Sequence, residues 1–132
     1  LEELAAVGRP EAEAETLGAA NITATSRDGV TIVRVATPRM HLAAQRDQLI
    51  RAVASAGAGG TVLLDMAGVL TMNSACWEAV TSLAGAMDLH VFGLNAACKE
   101  VFYSWGVDDV VSVHASEDEF WARRAPEEAA RQ

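Results

Sequence analysis

The 132 residues carry 18 acidic against 10 basic side chains, a formal charge of −8, and 51% of them are hydrophobic. That length allows one globular domain with a real core and is too short for two ordinary ones. The negative balance argues against nucleic acid or an anionic membrane surface as the main partner and favours a basic protein patch.

No apolar run approaches the length of a membrane span and no stretch resembles a secretory signal, so direct membrane insertion is not expected. The two cysteines, Cys76 and Cys98, are spaced for neither zinc nor a disulfide framework, which makes a reducing cytoplasm the default location. The chain begins at Leu1, which leaves room for an upstream module.

Residues 1–20 are rich in Ala and Glu, with Gly8, Pro10 and Gly18 interrupting them. Without a sustained apolar stripe they are expected to be an acidic leader or linker. Ile22–Ser26 and Val30–Ala36 flank Arg27-Asp28-Gly29. Asp-Gly between two β-rich runs predicts a hairpin, which Thr37-Pro38 ends because proline cannot continue a ladder. From His41 to Ala56, Leu42, Leu49, Ile50 and Val53 form an apolar face opposite Gln45, Arg46, Gln48 and Arg51. This predicts an amphipathic helix closed by Gly57.

The short apolar run Thr61-Val62-Leu63-Leu64 ends on Asp65 and predicts a strand buried on both faces. An irregular loop, Met66 to Asn73, includes Gly68. Cys76, Val80, Leu83, Ala84 and Met87 then recur at helical spacing, with Asn73-Ser74 ahead of them where an N-cap belongs. The hydroxyl of Ser74 is thus expected at the open start of a helix, where orphan N–H groups and the dipole favour an anion.

Leu89–Leu94 predicts another buried strand, and Ala97–Trp105 a helix packing through Val101, Phe102 and Trp105 before a left-handed cap at Gly106. Val110, Val111 and Val113 predict a last strand. Ser116–Glu119 has capping-box spacing and opens a last helix through Phe120 and Trp121, with Pro126 expected to end it. The order β-β-α-β-α-β-α-β-α implies an α/β domain with a mixed, mostly parallel sheet of about five strands, about four helices and an N-terminal hairpin. Functional residues are expected at the carboxyl ends of the strands. The domain is placed at residues 21–125, with 126–132 as tail.

The segment LLDMAGVLTMNSACWEAV, followed by VFGLNAACKEVFYSWGVDDVVSVHASEDEF, resembles the STAS domain (sulfate transporter and anti-sigma-factor antagonist). Members show a strand ending in Asp, a Gly-containing loop, Asp-Ser at a helix start, and further on a helix ending in Leu-x-x-Gly-Leu/Val. Here Asp65, Gly68, Asn73-Ser74 and Tyr103-Ser104-Trp105-Gly106-Val107 stand at those places, and the resemblance spans about residues 21–124. It implies the antagonist branch, a bacterial, cytoplasmic, non-enzymatic regulator of transcription without cofactor or metal. In that branch the serine matching Ser74 is phosphorylated by an ATP-binding anti-sigma factor that is also a serine kinase. The unmodified domain binds this kinase, phosphorylation ends the binding, and a serine phosphatase restores it. The docking surface so implied comprises Asp65, Gly68, Asn73, Ser74, Ala75, Trp77 and Glu78; a homodimer is compatible with it. Where the family runs close to Asp-Ser-Ser-Gly-Leu-Gly, this chain has Asn73-Ser74-Ala75-Cys76-Trp77-Glu78. Cys76 and Glu78 replace small residues that allow close backbone approach.

Each candidate also has a plainer role. Ser74 could serve only as an N-cap, worth about 1 kcal/mol. Trp77 is either a partner contact or core beneath the loop, and Cys76 either a thiol sensor or a small buried hydrophobe. Asp65 either positions the loop through backbone N–H groups or merely ends a strand. Tyr103 and Trp105 fit packing of their helix. His41, His90 and His114, far apart in sequence, have no ligand spacing and are expected to be incidental. An alternative function is a STAS module that is never phosphorylated, a subunit of a membrane lipid transporter or of a larger signalling scaffold. A Ser or Cys hydrolase lacks support, since Ser74 has no Gly-x-Ser-x-Gly elbow and no histidine placed by sequence to activate it.

Overall fold

Asp28 and Gly29 both have left-handed φ values, 52° and 81°, which a two-residue hairpin turn of matching twist requires. They join β1 (Ile22–Arg27) to β2 (Val30–Val35) in antiparallel register, with Arg27 opposite Val30. The computed structural model describes residues 20–131. The expected leader therefore lies outside the described residues, apart from Ala20, whose N–H and C=O bond the Gln48 side chain.

Three further strands extend the sheet in parallel: β4 (Thr61–Asp65), β6 (Asp88–Phe92) and β7 (Ser112–His114), giving the order β1-β2-β4-β6-β7. Two short strands, β3 (Arg39–Met40) and β5 (Thr71–Met72), pair in parallel outside this sheet. The helices are α1 (Ala43–Ala54), α2 (Ser74–Leu83), α3 (Ala96–Ser104) and α4 (Glu117–Arg131). The expected mixed, mostly parallel five-stranded sheet and four helices are present.

Side chains alternate across the pleat and divide the core in two. Val33, Val35, Val62, Leu64, Leu89 and Val91 face α1, α2 and α3, meeting Leu49, Val53, Trp77, Val80 and Phe102. Val30, Ile32, Leu63 and Phe92 face the other way, onto Phe120 and Trp121 of α4. Ser116 caps α4 by accepting from the Glu119 N–H (3.1 Å), while the Glu119 carboxylate takes the Ala115 N–H (2.6 Å).

Several expectations need correction. Leu42 just ahead of α1 is 51% exposed and Gln45 within it is buried, because the Gln45 side chain turns in to accept the N–H groups of His41 and Leu42 (2.8 and 3.0 Å). Val107–Asp109 forms a turn of 3₁₀-helix, so the last strand starts at Ser112; Val110 is exposed and Val111 is buried before it begins. Tyr103 and Trp105 are each 50% exposed and do not pack α3 into the core; Phe102 does. Finally, α4 runs past Pro126 to Arg131. One proline removes a single N–H bond, and the strong helix formers Glu127–Arg131 continue the turn.

Candidate functional site

Asp65 ends β4 at the carboxyl edge of the sheet and starts the connection to α2. Its Oδ1 accepts the N–H of Ala67 (3.0 Å), and its Oδ2 lies 2.6 Å from Nη1 of Arg34, the residue opposite it on β2. Arg34 also reaches Glu117 at the start of α4 (3.2 Å). The Asp65 hydrogen bond is the main influence raising the Arg34 pKa; partial burial opposes it and Glu117 adds to it. Asp65 therefore positions the start of the loop, and Arg34 links it to Glu117 of α4.

The loop from Met66 to Asn73 is not irregular. Met66 donates its N–H to Phe92 O (3.0 Å), Leu70 and Thr71 donate to Pro38 O (2.7 and 3.0 Å), and Asn73 donates to Met40 O (3.0 Å). The bonds to Pro38 and Met40 create the β3–β5 pair, and the one to Phe92 ties the loop to β6. Glycine permits two close approaches here. A Cβ on Gly68 would stand 2.9 Å from Val35 O, and one on Gly93, at φ +83°, would stand 2.7 Å from Ala67 N.

The two asparagines at helix starts act alike. Asn73 Oδ1 caps α2 by accepting from Cys76 N (3.1 Å), while its Nδ2 donates to His41 O (2.9 Å). Asn95 caps α3 through Cys98 N (2.8 Å) and donates to Leu70 O (2.8 Å). Each side-chain amide thus serves as both helix cap and loop staple. Because Asn73 is the cap, Ser74 is the first residue of α2 and is exposed. Its hydroxyl is released from the capping role and stands at the positive end of the helix.

Around Ser74 the site is mixed in character. Glu78 is exposed one turn further along α2, while Ala75 is half-buried. His41 reaches across with Nε2 2.7 Å from Thr71 Oγ1. Beside that contact in the chain stand Leu42 and Leu70, 51% and 57% exposed. Sequence reasoning set His41 aside as incidental, put Leu42 on the apolar face of α1, and gave no role to Leu70, Thr71 or Asn95; an asparagine just after a buried strand, as in Leu94-Asn95, is the available signal for the last. Trp77 is corrected: it is 1% exposed, edge-on to Phe102 at 5.6 Å between ring centres, and offers no surface to a partner. Cys76 is buried as well, 3.6 Å from Met40 O. Burial pushes its thiol pKa up, against the pull of the Arg46 charge, so it lacks the exposed thiolate of a sensor. Among the described residues no group of His, Cys, Asp and Glu is arranged to hold a metal ion, and no helix is long and apolar enough to cross a membrane.

No family model matches this sequence, and no curated protein matches it. Solved structures do match. A candidate anti-sigma factor antagonist from Thermotoga maritima superposes with a TM-score of 0.64 at 11% identity, over 77% of this chain and 92% of that one. An anti-sigma factor antagonist from Mycobacterium paratuberculosis gives 0.63 at 16% identity, over 80% of this chain and 93% of that one. The murine anion transporter Slc26a9 gives 0.55 at 15% identity over 80% of this chain, which spans 22% of the transporter. The residues that resemble STAS sequences thus build the same architecture, and the chain has the STAS fold.

Proposed function

We propose that this chain is a non-enzymatic interaction domain, an anti-sigma-factor antagonist that docks an ATP-binding anti-sigma kinase. Phosphorylation of Ser74 switches it off, and a serine phosphatase restores it. The observation that carries this reading is the exposure of Ser74 at the first position of α2, with Asn73 already occupying the cap. The half-exposed Leu42 and Leu70, beside a polar frame of His41, Thr71 and Asn73, suit a protein partner better than a small ligand. A phosphate would add about −1.5 to −2 charges to a domain already at −8. A thousandfold loss of affinity requires about 4 kcal/mol, within reach of repulsion and desolvation at a docking surface.

One feature favours the alternative of an unphosphorylated STAS module in a transporter or scaffold. Glu78 is exposed four residues after Ser74, and like charges at that spacing repel. Incubation with an ATP-binding anti-sigma kinase, followed by intact-mass measurement and site mapping, separates the readings. One phosphate on Ser74, absent from Ser74→Ala, supports the switch. An unmodified chain that copurifies with a transporter ATPase supports the alternative.

A further inference from the structure

His90 and His114, 24 residues apart in sequence, meet beneath α4. His90 Nδ1 lies 2.9 Å from His114 Nε2. His114 is 6% exposed, and both rings stand edge-on to Phe120 at 5.0 and 5.3 Å. They are therefore not incidental: parallel pairing of β6 and β7 puts both on the face covered by α4.

The protons on this pair can be assigned. Arg123 of α4 places Nη1 3.2 Å from His114 Nδ1. A guanidinium only donates, so that nitrogen must accept and carries no proton. Neutral His114 then holds its proton on Nε2 and donates it to His90 Nδ1. His90 in turn has its proton on Nε2, 3.0 Å from Asp88 Oδ1 though out of line for a hydrogen bond. The sequence Arg123, His114, His90, Asp88 is consistent in one direction with both imidazoles neutral.

An added proton finds no place in it. On His114 it would sit on Nδ1, facing the guanidinium. That puts two donors against each other. The surrounding charges are Asp88 on β6 and Glu119, Arg123 and Arg124 on α4; Glu119 lies 3.4 Å from Arg123. Burial is the largest influence lowering the His114 pKa, with His90 and Arg123 next, against Glu119 and Asp88. A cavity of about 300 Å³ adjoins the pair, bordered by Ser112 and Phe120, and gives water a way in.

We propose that the His90–His114 pair is an acid-released latch that fixes α4 to β6 and β7 at neutral pH and lets it go as His114 takes up a proton on the nitrogen that faces Arg123. Among the described residues α4 is the helix covering Val30, Ile32, Leu63 and Phe92. Its first turn, through Glu117, also braces Arg34 and Asp65. Release loosens that apolar face and the support of the loop before Ser74 together, whether or not Ser74 is phosphorylated.

Hydrogen exchange, corrected for intrinsic rates, tests this on the full chain at about pH 7.5 and about pH 5.5, a window that spans ordinary histidine titration. In the wild type, protection of amides 118–124 is expected to fall about fivefold or more on acidification while α2 holds. In His114→Gln the fall is expected to be under about twofold. Equal protection at both pH values, an equal fall in the variant, or a fall shared by α2 and α4 alike overturns the latch. Should the variant not fold, ring-nitrogen NMR of the wild type decides. Bare Nδ1 and protonated Nε2 on both rings at neutral pH, with a His114 midpoint below about 6.5, are expected. The opposite tautomers or a midpoint at or above that value overturn it.

Discussion

Arg34 Nη1 and Asp65 Oδ2, on neighbouring parallel strands, lie 2.6 Å apart, and the other Asp65 oxygen holds the Ala67 N–H at 3.0 Å. One carboxylate thus ties the second strand of the hairpin to the loop that leads to Ser74. Asp65→Ala is expected to cost about 1–3 kcal/mol in urea denaturation, since it removes an acceptor and half of an ion pair. Asp65→Asn, which keeps an acceptor for Ala67, is expected to cost less. Equal losses would show that the charge alone matters.

Trp77 reports on the core beneath the site. Its burial predicts a loss of about 3–5 kcal/mol for Trp77→Ala. Its indole Nε1 finds no hydrogen-bond partner among the described residues. Trp77→Phe therefore forfeits no hydrogen bond, and less than about 1.5 kcal/mol is expected if the core repacks around the smaller ring. Chemical denaturation of both variants checks this.

Asn73 and Ser74 are adjacent but should separate cleanly. Asn73→Ala removes the cap and the staple to His41 O, and is expected to cost about 1–2 kcal/mol. Ser74→Ala is expected to stay within about 0.5 kcal/mol of wild type, as an exposed position without a capping role. Thermal denaturation of the two checks this. A large loss in Ser74→Ala would return the hydroxyl to a structural role.

Folding lowers the His114 pKa, and the sign of the resulting pH dependence follows. Below about pH 6.5 the unfolded chain takes up the proton before the folded one, so stability falls as pH drops until folded His114 titrates too. Above that value its contribution is constant. Urea midpoints at about pH 7.5 and about pH 5.5 should show the fall, and His114→Gln should reduce it. A midpoint unchanged or rising on acidification would contradict this assignment.

The elements carried by local signals were legible before the structure was known. Asp28-Gly29 announces its turn, Leu63-Leu64 its buried strand, and Ser116 with Glu119 its helix start, because each is decided by residues within a few positions. The β3–β5 pair was not legible. Arg39-Met40 and Thr71-Met72 lack strand character by themselves and pair only because Pro38 O and Met40 O meet the loop N–H groups. His90 and His114 were missed for the same reason, since only the register of β6 on β7 brings them together. The structural places of Asp65 at the strand end, Gly68 in the loop and Asn73 at the helix start could be read from sequence, whereas Trp77 could not be placed until Phe102 was seen packed against it.

The central claim is that charge at position 74 governs docking. Affinity for an ATP-binding anti-sigma kinase, measured by calorimetry for wild type, Ser74→Ala and Ser74→Asp, tests it most directly. Alanine is expected to bind about as tightly as wild type and aspartate at least about tenfold more weakly, a difference of about 1.4 kcal/mol. Aspartate binding as tightly as wild type would contradict the account.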